Sequence, residues 1–168
     1  MKIETKYHGE VDITNEDIWT FEKGIPGFPQ EKQFVLLTLP ENDVYAILQS
    51  VETPGLGFVI VNPFLFFSDY DFEIDEATVE QLQVEKETDV QVYSILTIQE
   101  PFEHTTANLQ APLIMNKKNM HAKQVILSDG KYQTKHLILP TKVEMGWQDA
   151  GTDKKTGRID SNWRWHRN

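Results

Sequence analysis

Six short runs dense in β-branched and aromatic residues, separated by turn signals, constrain this chain to a β fold. They are Gln33–Leu39 (QFVLLTL), Val44–Gln49 (VYAILQ), Phe58–Val61 (FVIV), Asp89–Ile98 (DVQVYSILTI), Ala111–Met115 and Ala122–Leu127. The breaks between them carry Pro40-Glu41-Asn42-Asp43, Pro54-Gly55, Asn62-Pro63, Asn116-Lys117-Lys118-Asn119 and Asp129-Gly130, which are residues that end strands and make turns. In Asp89–Ile98, Val90, Val92 and Ser94 share one face, while Ile95, Leu96 and Ile98 break strict alternation, as in a strand buried on both sides. Helical spacing is best in Glu76–Val84, where Val79 and Leu82 lie three apart and Asp75 stands at the N-cap position. Short strands at this spacing with one short helix predict a small, mostly β domain, an antiparallel barrel or sandwich, and not βαβ units.

Length and charge narrow the function. The chain has 168 residues, enough for one domain that buries about two-thirds of its unfolded surface. A formal charge of −10 speaks against a nucleic-acid binder, which needs concentrated Lys and Arg to neutralise phosphates. No cysteine is present, so the chain has no disulfide, no thiolate nucleophile and no Cys-based zinc site. No run approaches the roughly 18 apolar residues of a membrane span, and MKIETKYHGE lacks a signal peptide's apolar core. The reading is a soluble, cytoplasmic protein. A field this negative opposes self-association at low salt, so a monomer is expected.

The charge divides the chain. Residues 1–140 hold ten Lys, no Arg and 22 acids, hence −12, whereas residues 141–168 hold six bases and four acids, hence +2. The second segment, TKVEMGWQDAGTDKKTGRIDSNWRWHRN, contains all three Arg and three of the four Trp, and shows neither strand nor helix periodicity. It reads as a disordered or appended extension outside the domain 1–140. The other reading is a basic-aromatic arm that docks on the acidic body or on a partner.

Signs of catalysis are sparse. His8, His104, His121 and His136 form no i, i+4 pair for a helical metal site. No Ser stands in a G-x-S-x-G elbow, and Gly55-Leu56-Gly57 is a lone pair of glycines that reads as a turn. No metal, cofactor or catalytic residue is expected, and the chain does not read as an enzyme.

The most informative segment is Ser68–Asp75 (SDYDFEID). Asp69, Asp71, Glu73 and Asp75 alternate with Tyr70, Phe72 and Ile74, so a period of two puts the carboxylates on one face and the apolar groups on the other. Paired carboxylates can serve as acid and base only where the surroundings split their pKa values, and an evenly spaced exposed row gives no such split. The row is either a solvated edge that discourages edge-to-edge aggregation or an anionic stripe for a basic partner. From Glu41 to Glu103 there are 14 acids and one base, Lys86, an imbalance that favours a partner-directed field. Two apolar features flank this reading. Asn62–Phe67 (NPFLFF) sets three Phe just before the acidic row, and Gly24–Phe28 (GIPGF) predicts a type II turn with Pro26 fixing φ and Gly27 supplying positive φ. That turn leaves Phe28 as a plug or as an exposed contact.

Four segments in order, FEKGIPGF (Phe21–Phe28), FVIVNPFLFFSDYDFEI (Phe58–Ile74), ANLQAPLIMN (Ala107–Asn116) and KQVIL (Lys123–Leu127), resemble the flagellar assembly factor family FliW. The resemblance spans about residues 3–140 and excludes the tail. It implies a small β-barrel-like domain with a regulatory role. Members of that family bind CsrA, an RNA-binding translational repressor, and relieve its block on flagellin mRNA; flagellin is the alternating partner. For this chain the implied contacts are Asp69, Asp71 and Glu73 for charge, with Phe64, Phe66, Ile25 and Phe28 for apolar contact. Release of RNA could follow from electrostatic repulsion or from a contact-induced change in the repressor. A plain flagellin chaperone with no role in translation is the competing reading.

Overall fold

In the computed structural model, residues 1–39, 42–128, 130–139, 157–159 and 164–167 are described. Pro40 and Glu41, Asp129, and most of residues 140–168 lie outside them, and so do the turns and the disorder expected there.

Seven strands close a barrel. They are β3 (Ile18–Phe21), β4 (Gln33–Leu39), β5 (Asn42–Ser50), β6 (Gly57–Val61), β8 (Val90–Thr97), β10 (Leu113–Asn116) and β11 (His121–Gln124), counted in chain order with β1 (Lys2–Glu4), β2 (Glu10–Asp12) and β7 (Phe72–Glu73) between them. The hydrogen-bonded order is β10-β11-β3-β4-β5-β6-β8. The ring closes where β10 pairs with β8, Leu113 opposite Tyr93 and Asn116 opposite Val90. Every pairing is antiparallel except β11 with β3, which is parallel. Closure removes the free edges that an open sheet would expose. Beyond the ring, β9 (Thr106–Ala107) continues from β8, and β12 (His136–Leu137) pairs with β9. The fold is therefore the barrel, one of the two mostly β architectures that the strand pattern allows, with one short α-helix among the described residues.

Three apolar clusters follow from alternation on a closed wall. The interior is filled from every barrel strand: Trp19, Phe21, Phe34, Ala46, Leu48, Ile60, Leu113, Met115 and Ala122, with Tyr93 and Ile95 half-buried against them. On the outer wall of β8 and β10, Val90, Val92, Leu96 and Ile114 meet Phe64, Tyr70, Phe72, Ile74, Leu82 and Val84 from the segment that joins β6 to β8. The β1–β2 hairpin covers a third patch, Ile3 and Ile13 against Val35. β8 is thus packed on both faces, as its composition suggested, but the alternation is strict: Val90, Val92, Ser94 and Leu96 point to the outer core, and Ile98 is exposed.

The helix α1 (Glu76–Gln81) is shorter than Glu76–Val84, because Leu82 is already its C-cap and Gln83 takes φ +54°. Asp75 occupies the N-cap position with extended backbone, yet its side chain makes no capping hydrogen bond. The helix end is tied down from the β10–β11 turn. Asn116, buried, donates Nδ2–H to the Leu82 carbonyl at 2.8 Å, and Asn119 donates to the same oxygen at 2.9 Å. Two side-chain amides thereby satisfy a helix-terminal carbonyl that has no partner within the helix.

Candidate functional site

The acidic row keeps its alternation with very little strand. Only Phe72–Glu73 is regular β structure, but Tyr70, Phe72 and Ile74 are buried while Asp69, Glu73 and Asp75 are exposed and Asp71 is half-buried. Aromatic packing and two hydroxyl groups set this geometry where a ladder would otherwise do so. The Tyr70 ring lies 5.5 Å from Phe64 and 5.1 Å from Phe72, with Tyr132 edge-on at 4.7 Å. The buried Tyr70 hydroxyl donates to the Leu109 carbonyl at 2.7 Å, a bond worth about 1 kcal/mol net. Tyr132 Oη accepts the Asp71 backbone N–H at 3.0 Å and reaches the Asp69 carbonyl at 3.5 Å. An aromatic bed therefore underlies the row, with Asp69, Glu73 and Asp75 exposed above it and Asp71 Oδ1 out of solvent.

Opposite the row, Val125–Ser128 forms the other bank of a cleft of about 380 Å³, lined by Asp71, Phe72, Glu73, Asp75, Ile126 and Lys131 among others. Ile126 is 63% exposed there. The surface thus joins anionic and apolar character, which suits a basic protein partner better than a small molecule. Ile126 and Tyr132 were not legible as site residues, since they lie more than 50 positions along the chain from the row they face.

The other sequence candidates divide. Phe64 is 4% exposed and belongs to the outer core, so it supports the row from below and offers no ring to a partner. Its place follows from Asn62, which caps the 3-10 turn Pro63–Leu65 by accepting the Phe64 N–H at 2.9 Å. Phe66 is half-buried and packs on Tyr45 at 6.3 Å, and Phe102, at 6.4 Å from Tyr45, extends that group to the surface. Burial raises the Tyr45 phenol above its ordinary value.

The Gly24–Phe28 segment is the expected turn. Gly27 has φ +91°, and Ile25 and Phe28 exchange backbone hydrogen bonds of 2.6 and 3.3 Å. Ile25 is buried in the barrel interior, whereas Phe28 is 41% exposed with its ring edge-on to Phe58 at 5.8 Å. Ile25 and Phe28 sit with the interior cluster and Phe64 with the outer one, so the sequence candidates do not form one patch.

Next to the row, His136 supplies a pH-sensitive contact. Its ring lies 6.1 Å from Phe67 and 6.2 Å from Tyr132, and its Nε2 accepts the Gln133 N–H at 2.8 Å. Burial lowers its pKa below the ordinary imidazole value, so the unfolded chain takes up this proton first as pH falls. The associated stability is present above the imidazole range and is lost as pH drops through it. Urea unfolding at pH 7.5 and 5.5 should show a smaller pH dependence for His136→Gln than for the parent chain. An identical dependence would remove this histidine from the effect.

Among the described residues, no group of three or more His, Cys, Asp or Glu side chains could hold a metal ion, and no helix is long and apolar enough to cross a membrane. The family model described as FliW protein matches residues 2–138. The chain belongs to the FliW family. It is 57% identical over 143 residues to the flagellar assembly factor FliW of Geobacillus sp. (strain WCH70), covering 85% of this chain and 99% of that one. Against the flagellar assembly factor FliW of Bacillus subtilis (strain 168) it is 54% identical over 138 residues, 82% of this chain and 96% of that one. A crystal structure of the flagellar assembly factor FliW superposes with a TM-score of 0.81 at 53% identity, over 84% of this chain and 99% of that one. Membership in the FliW family and the barrel architecture therefore agree, and the tail lies beyond the family match.

Proposed function

We propose that this FliW-family chain is a flagellar assembly factor that binds the translational repressor CsrA, relieves its repression of flagellin mRNA, and takes flagellin as its alternating partner. The reading places it in the cytoplasm and gives it no catalytic step. The observation that carries it is the row in which Asp69, Glu73 and Asp75 are exposed and Asp71 is half-buried, set over buried Tyr70, Phe72 and Ile74 and facing exposed Ile126 across a cleft. An RNA-binding protein has a cationic face, and an anionic, partly apolar surface complements it in charge. Once docked, carboxylates within a Debye length, about 8 Å at physiological salt, repel RNA phosphates without filling the RNA site.

Isothermal titration of the chain with purified CsrA, and then with flagellin, tests this. Binding to both, with flagellin displacing CsrA, is the expected result. Binding to flagellin alone would replace the proposal with a chaperone role, and binding to neither would overturn it.

A further inference from the structure

Part of the tail has a defined place on the acidic body. Residues Gly157–Ile159 (β13) and Arg164–Arg167 (β14) pair as an antiparallel hairpin. β14 then adds to β7, with Arg164 opposite Glu73 and Trp165 opposite Phe72. We propose that the β7 edge is a strand-accepting docking site for an extended basic segment, and that the chain's own β14, backed by β13, occupies it in cis.

Three observations converge on this. β7 lies at the end of the order β13-β14-β7, so among the described residues β14 is the strand that pairs with it, and an edge strand is the usual acceptor for an added strand. The second observation is charge. Residues 141–168 carry six bases and four acids, while residues 68–75 carry four acids and no base, and the register places Arg164 opposite Glu73. β13 also runs beside the 3-10 turn Glu87–Asp89, another acidic stretch. The third is that the family match ends at residue 138, so the hairpin is an addition to the domain and not one of the elements that build it. A tethered strand has an effective concentration near millimolar, so any basic segment arriving from another protein competes with it. This inference holds whatever the identity of that protein.

The test compares the full chain with a chain ended at residue 143, using a synthetic peptide of residues 157–168 as the probe. The family model matches residues 2–138, so a chain ended at residue 143 retains the whole matched domain. Hydrogen exchange across residues 68–75 should be slower in the full chain, and the peptide should restore that protection to the shortened one. The peptide should bind the shortened chain at least tenfold more tightly than the full chain, and Glu73→Lys in the shortened chain should weaken it at least tenfold. In the full chain, Arg164→Glu sets like charges opposite each other and should speed exchange at residues 68–75, a readout that needs no truncated protein. Equal exchange in the parent and Arg164→Glu chains, or equal peptide affinity for the full and shortened chains, would overturn the proposal.

Discussion

Alanine in place of Gly24 is expected to cost about 3 kcal/mol of stability, the largest loss among Gly→Ala changes at the described glycines. Gly24 has φ +68°, where a side chain adds roughly 1–2 kcal/mol of strain. A Cβ there would also stand 2.6 Å from the carbonyl oxygens of both Phe28 and Pro29. Those atoms are backbone and cannot swing away as a side chain can. Moving them would break the Ile25–Phe28 pair and pull Ile25, 2% exposed, out of the barrel interior. Gly27 provides the control, because it has φ +91° but no atom within 4 Å of its ideal Cβ. Gly27→Ala should therefore show the strain alone, about 1–2 kcal/mol. Urea unfolding of the two variants separates the contributions. Equal losses at both positions would mean that the close approach to Phe28 and Pro29 has no energetic consequence.

That turn was legible in the sequence because Pro26 fixes φ and Gly27 is the residue that takes the positive φ of a type II turn without strain. The strands were legible for a related reason: β4, Gln33–Leu39, has the bounds that its β-branched run implies. β3, Ile18–Phe21, was not, since a run of four residues carries little pattern of its own. Its parallel pairing with β11 and the closure of β8 on β10 join positions far apart in the chain, and no local period encodes them. This is why barrel and sandwich could not be separated from the sequence. The acidic row shows the opposite case. Its alternation is real although the ladder spans only two residues, because Tyr70, Phe72 and Ile74 each find an apolar bed. Phe64 shows where such reasoning stops. In a 3-10 turn neither the period of two nor that of 3.6 holds, so whether a ring faces the core or a partner depends on the surrounding fold.

Reversing the row with Asp69→Lys, Asp71→Lys and Glu73→Lys is expected to lower affinity for CsrA by at least a hundredfold at physiological salt. The change replaces three negative charges by three positive ones at a surface proposed to meet a cationic face. Close interfacial charge pairs have coupling energies of about 1.5 kcal/mol or more, and a loss of roughly 3 kcal/mol is already a hundredfold. The apolar side of the segment stays in place, since Tyr70, Phe72 and Ile74 are buried and unaltered. Side chains on one face of an extended segment repeat every 6.6–7 Å or so, so the native carboxylates repel one another. The variant should melt below the parent chain, because Asp71 is half-buried and Glu73 lies opposite β14, and far-UV circular dichroism should show the parent fold at the titration temperature. Net charge alone is controlled by reversing exposed Glu4, Glu16 and Glu22, which changes the total by the same amount at a different place on the body. If the proposal holds, the control retains most of its affinity, and raising the salt weakens the parent complex while leaving the row variant little changed. Equal losses in the row variant and the control would reduce the effect to long-range charge. Unchanged affinity for CsrA and flagellin, with unchanged release of RNA from CsrA, would take Asp69, Asp71 and Glu73 out of the mechanism and turn attention to Phe28 and Phe58, whose exposed aromatic edge lies with the barrel interior cluster and not with the row.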